Sequence, residues 1–442
     1  MIVYESLWDE EKMKIKIKQK SYDEVLAMPK AKHIKPMKQL GILRKVVPLI
    51  SIIDLWQTRF TFEKINMEKL GDKEPCLILM NHSSFLDLKI AFRMLHDRPF
   101  NIVSTSDAFV GKNILMRLLG CVPTKKFITD PNLIRDMIYV VKKLKSSVLM
   151  YPEAGYSFDG TATTLPESVG RLIKMLGVPV VMITAYGAFS RDPLYNGLRL
   201  RKVKVNAKME YILSPEEISE KSAKELNAIV RECFSFDNFR WQQDNKIRIK
   251  EKFRAEGLNR VLYKCPHCET EGKMVGKDIY VECNSCGKKY ELTEYGFMEA
   301  KVGETEFRHI PDWFKWQRDC VRQEIIDDKY SLDVPVDIYV LMNTKCLYKV
   351  GEGQLVHNSQ GFKLTGCDGK INYSQKPSAS YCLNADYFWY EIGDVISIGD
   401  YNMLYYCFPK NSGDIVAKTR LATEEMYKLA VENRKKQLIE ER

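Results

Sequence analysis

The sequence predicts an α/β domain with a largely parallel sheet, then a four-cysteine module, then a β-rich module that ends in a helix. Three observations carry this. Over residues 61–245 short apolar runs, CLILM (76–80), NIVS (101–104), SVLMY (147–151) and VPVVMIT (178–184), alternate with LKIAFRMLH, LIRDMIYVVKKLK and SVGRLIKMLG, whose apolar residues have helical spacing. That alternation belongs to strands and crossover helices. Cys265, Cys268, Cys283 and Cys286 form two C-x-x-C pairs. Beyond residue 294, after the helical stretch WFKWQRDCVRQEII, short strands such as VDIYVL, CLYKV, GFKLTG, YFWYEI and DVISIG precede TRLATEEMYKLAVENRKKQL, read as a closing helix.

A chain of 442 residues has room for two to four domains. The net charge is +10, and eleven Lys or Arg against two acids between Lys12 and Lys45 supply +9 of it. The remainder is nearly neutral, which excludes a generally basic nucleic-acid binder. KMKIKIKQK alternates lysine with apolar residues, as an edge strand blunted by lysines does. A basic surface facing anionic lipid has the same pattern. MKQLGILRKVVPLISIIDLWQTRF (37–60) flanks an apolar patch with Arg44, Lys45, Trp56 and Phe60. It reads as an interfacial segment, the alternative being a core helix. Residues 1–60 are thus expected as a basic interfacial segment, 61–245 as the α/β domain, 246–260 as a charged helical linker, 261–293 as the cysteine module and 294–442 as the β-rich module. The early chain has acids where a basic leader would stand, and its longest apolar run, Val46–Ile53, is far short of the ~20 residues that span a bilayer. With twelve cysteines, the expected compartment is the cytoplasm.

The chemistry concentrates at strand ends, where sites form in parallel sheets. In LILMNHSSFLDLKI the apolar run stops at Asn81, and His82 and Asp87 follow. Positions five apart on an ideal helix point ~140° away from each other, so the two meet only if His82 precedes the first turn. Asn81 or Ser83 is then expected to cap the helix while Asp87 reaches back. Imidazole takes a proton from a hydroxyl near neutral pH, and a carboxylate on its other nitrogen fixes the tautomer. A second loop, YPEAGYSFDGTATTLPE, follows the strand SVLMY.

The order N-H-x4-D, Y-P-E-x-x-x-S-x-x-G and V-P-V-V resembles the glycerophospholipid acyltransferase family, of the lysophosphatidic-acid type, over roughly residues 40–240. The resemblance implies that His82 is the general base, oriented by Asp87. Acyl-CoA or acyl-carrier protein is then the donor and a lysophospholipid hydroxyl the acceptor. Glu153, Gly155, Tyr156 and Ser157 become candidates for binding the acceptor. The family usually reads P-E-G-T-R-S, and Tyr156 stands at its Arg. A second family motif normally ends in Arg, and its nearest match here, CVPTKKF, offers Lys125 and Lys126, which bind phosphate as point charges. An anionic membrane surface is the expected partner, with the protein peripheral on the inner face. The alternative is a serine esterase, since Gly155-Tyr156-Ser157-Phe158-Asp159 approaches G-x-S-x-G. Asp159 breaks that pattern, and the order of His82 before Ser157 is wrong for such a triad.

Cys265-x2-Cys268 and Cys283-x2-Cys286 lie fourteen residues apart. Four thiolates at this spacing make a closed tetrahedral site for structural zinc, with iron as the minor alternative. The stretch resembles a zinc ribbon. His267 is a neighbour and not a ligand. A non-catalytic zinc-ribbon binding protein is a further alternative. Nucleic acid is not expected, because the lysines here are mixed with Glu269, Glu271, Asp278 and Glu282.

Overall fold

The computed structural model describes residues 15–128, 130–410 and 413–440. The basic residues 12–14 lie outside them. The described chain forms two units. One is built from 31–192 and 200–241, the other from 17–30, 193–199 and 242–442. The early segment 17–30 thus belongs with the second unit: β1 (Ile17–Gln19) pairs in parallel with a strand more than three hundred residues later.

The first unit holds a mixed, largely parallel sheet of β2 (Thr61–Ile65), β3 (Leu77–Met80), β4 (Phe100–Thr105), β5 (Cys121–Thr124), β6 (Ser147–Met150), β7 (Val180–Tyr186) and β8 (Asn206–Leu213). The order is β2-β8-β7-β3-β6-β4-β5. The last five run parallel; β8 is antiparallel to β7 and parallel to β2. Both faces are covered. Ile78 and Met80 enter one core with the helices Gly41–Gln57 and Leu86–Met94. Leu77 and Leu79 enter the other with Pro131–Lys142, Val169–Leu176 and Ala223–Cys233. Burial on both faces explains why these strands read as unbroken apolar runs. β2 and β5 escape that reading because they are edge strands, and the edge is where Pro123 is tolerated.

The helix Gly41–Gln57 has one face in the core and an apolar face exposed. Val47, Ser51 and Leu55 are buried, while Ile42, Leu49, Ile52, Ile53 and Trp56 are exposed, Trp56 by 78%.

In the second unit, β9 (Met274–Lys277), β10 (Tyr280–Cys283), β11 (Lys289–Leu292) and β12 (Met298–Ala300) form an antiparallel sheet above the cysteine knuckles. The expected helical linker 246–260 is not an α-helix. It is extended and turned, with one 3-10 turn at Leu258–Arg260. KIRIK alternates with period two, and its Ile249 is buried with its N–H on the Glu294 carbonyl. Arg254 then buries its guanidinium against the Leu292 carbonyl. Tertiary hydrogen bonds to the sheet replace those a helix would supply.

The β-rich module contains β13 (Ser331–Asn343), β14 (Cys346–Asn358), β15 (Gly361–Gly366), β16 (Ile371–Gln375), β17 (Asn384–Trp389), β18 (Gly393–Gly399) and β19 (Leu404–Pro409). They are ordered β16-β15-β14-β13-β19-β18-β17, with β1 added on β14. Tyr387, Trp389, Tyr405 and Tyr406 are core residues; Phe388 faces out. The helix Val416–Glu440 closes the region.

That helix meets Ile310–Ile326 through buried charge. Glu424 is 2% exposed and takes Arg318 Nη1 at 2.6 Å, Arg420 Nε at 3.3 Å and the Cys382 thiol at 3.0 Å. Burial pushes its carboxyl up, but Arg318 and Arg420 outweigh that and hold it at about 2. A folded pKa below the unfolded value contributes stability above about pH 4.3 that is lost as pH falls towards 2. Glu424→Ala removes a buried carboxylate that Arg420 and Arg318 share, Arg318 keeping Glu425, and is predicted to cost about 3–5 kcal/mol in urea unfolding at pH 7. The difference from the parent should shrink in titrations taken from pH 5 down to pH 3.

Candidate functional site

β3 pairs with β6 on one side and β7 on the other, so three strand ends deliver their loops to one place. Asn81 leaves β3 fully buried and locks to β7, donating to the Ala185 carbonyl at 3.0 Å and accepting its N–H at 2.8 Å. It is therefore not the helix cap. Nor is Ser83, whose hydroxyl has no partner. Asp87 reaches back from inside the first turn: Oδ2 accepts Ser83 N at 2.7 Å and Ser84 N at 3.0 Å, and reaches His82 Nδ1 at 3.1 Å. Those amides precede the helix, so the carboxylate orders the turn before it, while Ser84 Oγ accepts the first helical amide, Leu86 N, at 2.9 Å.

An oxygen that takes two backbone N–H groups is an acceptor, so Nδ1 carries the ring proton and Nε2 the lone pair. The side chain of His82 is 21% exposed, enough for Nε2 to be reached. Tyr151 and Tyr156 each stack on the imidazole with centroids 4.1 Å away, at 25° and 29°. Two rings at that spacing need opposite faces. Burial, with the nearby Asp87 charge, pushes the Tyr151 phenol far above its ordinary value, so it stays neutral. Phe85 sits 5.7 Å from Tyr156 and half extends the aromatic wall into solvent.

The loop after β6 acts on the turn after β3. Glu153 is fully buried; Oε2 accepts His82 N at 2.9 Å and Oε1 accepts Thr163 N at 2.7 Å. Ser157 donates its N–H to the His82 carbonyl at 3.2 Å. Its hydroxyl donates to the Thr161 carbonyl at 2.7 Å and accepts Gly160 N at 2.9 Å. These bonds tie Glu153 and Ser157 into the loop itself, where acceptor contact was expected. They also leave Ser157 Oγ bound to the loop and to no imidazole, which removes the support for an esterase. Gly155 is buried, and the left-handed backbone falls on Ala154, at φ 53°. Of this segment, Tyr151 and Tyr156 lie against the His82 ring. Lys125 and Lys126 follow β5, on the same sheet edge but three strand spacings from β3, roughly 14 Å.

One group had no signal in the sequence. Asp192, beyond β7, is buried and accepts Ser84 Oγ at 2.5 Å. Nothing in local spacing announces it, since more than a hundred residues separate the two.

The four cysteine sulfurs lie within 4.8 Å of one another, with Cys265–Cys286 at 3.8 Å and Cys268–Cys283 at 3.7 Å. A tetrahedron with ~2.3 Å zinc–sulfur bonds has edges of about 3.8 Å, so the donors fit the ion. The knuckles repeat each other: Glu269 N and Gly287 N donate to Cys265 O and Cys283 O, and both residues have positive φ. His267 turns outward to Glu306.

Residues 61–185 match the Acyltransferase family. The matched span runs from β2 to the end of β7 and includes His82, Asp87 and Glu153. Among solved structures, the chain is similar to the 1-acyl-sn-glycerophosphate (LPA) acyltransferase PlsC from Thermotoga maritima. Identity is 16% over 43% of this chain and 77% of that one, with a TM-score of 0.36. No curated protein matches. Among the described residues, no helix is long and apolar enough to cross a membrane.

Glu153→Gln tests the role of this buried carboxylate within the acyltransferase domain. An amide turns one of its two acceptor oxygens into a donor facing an N–H group. The variant is predicted to lose about 1–3 kcal/mol of stability in urea. Hydrogen exchange at the His82 and Thr163 amides should rise with it; unchanged protection at both would refute the assignment.

Proposed function

We propose that the protein transfers a fatty acyl group from acyl-CoA or acyl-carrier protein to the hydroxyl of a lysophospholipid resembling 1-acylglycerol 3-phosphate. The observation that carries the reading is the His82–Asp87 pair at the end of β3, inside the segment that matches the Acyltransferase family. His82 Nε2 removes the proton of the acceptor hydroxyl as its oxygen attacks the thioester carbonyl. The tetrahedral centre collapses with loss of the C–S bond, and the leaving thiolate takes the proton back from the imidazolium. Asp87 keeps the ring in the tautomer that has its lone pair on Nε2. Tyr151 and Tyr156 restrict the imidazole to one plane. Lys125 and Lys126 are assigned to the acceptor phosphate.

The apolar face of Gly41–Gln57 is assigned to an anionic bilayer at the inner face of the membrane. Exposed Lys45 and Arg59 frame Leu49, Ile52, Ile53 and Trp56 on that helix, the combination that an interfacial segment needs. The four cysteines are assigned to structural zinc: four thiolates close the coordination shell and leave no position for a substrate.

The test of the reaction follows thiol release from acyl-CoA against a panel of lysolipids. His82→Ala is expected to lower the rate by on the order of 10²–10⁴ with an unchanged circular dichroism spectrum. Near-normal transfer in that variant would overturn the reading. Replacing Lys125 and Lys126 together by Ala should raise KM for phosphorylated acceptors about tenfold or more; no change would remove the phosphate from the acceptor.

For the metal, elemental analysis of protein purified without chelators is expected to give about one zinc per chain. Cys265→Ser should release it and destabilise the 261–293 module. A preparation with no metal would defeat the assignment, and one loaded with iron would change the ion and keep the site.

A further inference from the structure

We propose that Asp192 is a positioning residue for the acyl-transfer site, acting on the His82–Asp87 pair through Ser84; the proposal rests on the reaction assigned above. Ser84 is the junction. Its N–H donates to Asp87 Oδ2 at 3.0 Å, its Oγ accepts Leu86 N at 2.9 Å, and the single hydroxyl proton goes to Asp192 Oδ1 at 2.5 Å. A hydroxyl whose proton is committed has a fixed rotor, and its lone pair is then aimed at the first amide of the helix Leu86–Met94. Asp192 thereby sets the turn whose two amides hold the oxygen that orients His82. It touches neither His82 nor the space beyond Nε2.

The surroundings are those of a buried charge kept in place from several elements. Arg191 Nη1 lies 3.4 Å from Asp192 Oδ2, and Arg191 Nη2 lies 3.7 Å from Asp54 Oδ1 on the helix Gly41–Gln57. Asp54 also pairs with Lys89, on the same helix as Asp87. Asp192 thus faces Arg191 on its own segment, Asp87 and Lys89 on a second, and reaches Asp54 on a third through Arg191. Burial raises its carboxyl and the Asp87 charge raises it further, while Arg191, the Ser84 bond and Lys89 pull it down, leaving it at about 7. Ionised, it makes the strong form of the Ser84 bond; protonated, it does not. Turnover is therefore fastest with Asp192 ionised, and its protonation should lower kcat on the acid side in a step towards the level of Asp192→Asn.

The experiment measures kcat and KM for acyl-CoA from pH 5 to pH 8 in the full chain, with circular dichroism as a folding check. Asp192→Asn is expected to lower kcat about tenfold or more, to leave KM within about twofold, and to remove that step from the acid limb. Ser84→Ala should do the same, and Ser84→Ala/Asp192→Asn should be no worse than the poorer single variant, because both act through one hydrogen bond. If Asp192→Asn fails to fold, Ser84→Ala decides alone by the same two readouts. A folded variant with near-normal kcat, an unaltered acid limb, or losses that multiply in the double variant would each overturn the proposal. His82→Ala measured alongside separates the two levels. Full activity there would sink the acyl-transfer reading, whereas an inactive His82→Ala with a normal Asp192→Asn would sink only the role of Asp192.

Discussion

One carboxylate oxygen, Asp87 Oδ2, organises the site. It gathers the His82 ring and the amides of Ser83 and Ser84 into a single turn. The strand before it and the helix after it are pinned separately, by Asn81 on β7 and by apolar packing of Leu86 and Ile90. A short connection between two rigid pieces has little freedom left, and three donors on one acceptor take up what remains. The histidine is thereby placed before its helix, where a spacing of five residues becomes a contact.

The loop after β6 supports that turn from the opposite side. Glu153 takes the His82 amide, Ser157 reaches the His82 carbonyl, and Tyr151 and Tyr156 cover both faces of the ring. Each contact fixes a different degree of freedom: backbone position, strand-end direction, and ring plane. Glu153 and Ser157 thus brace the turn that carries His82.

How far this was legible varies from residue to residue. β3, β4, β6 and β7 were visible because burial on both faces demands continuous apolar runs. The pairing of His82 with Asp87 was visible because helix geometry admits one solution. The cysteine cluster was visible because its ligands are close in sequence. The bonds from the Ser83 and Ser84 amides to Asp87 were missed, since Asn81 and Ser83 suit caps by local propensity and only the tertiary lock on Asn81 removes it from contention. The 246–260 segment was misread because charged residues suit an exposed helix, while the period of two in KIRIK pointed to extended chain. Asp192 was invisible, as the sheet order alone brings β7 beside β3. The lysine-rich strand kept two readings in the sequence, and β1 with its partner in the second unit decides for pairing at residues 17–19.

That early strand has a consequence for biosynthesis. Ile17 leaves the ribosome about 330 residues before its partner Leu347 exists. At ~5–20 residues per second, the strand stands unpaired for roughly 15–65 s, while the whole α/β unit is made. An apolar edge exposed for so long would invite pairing with other nascent chains. Lys16, Lys18 and Lys20 interleave Ile17 and Gln19 and give the waiting segment a charge that repels its own copies. The lysines of β1 thus charge an edge that stays unpaired until its place in the sheet has been synthesised.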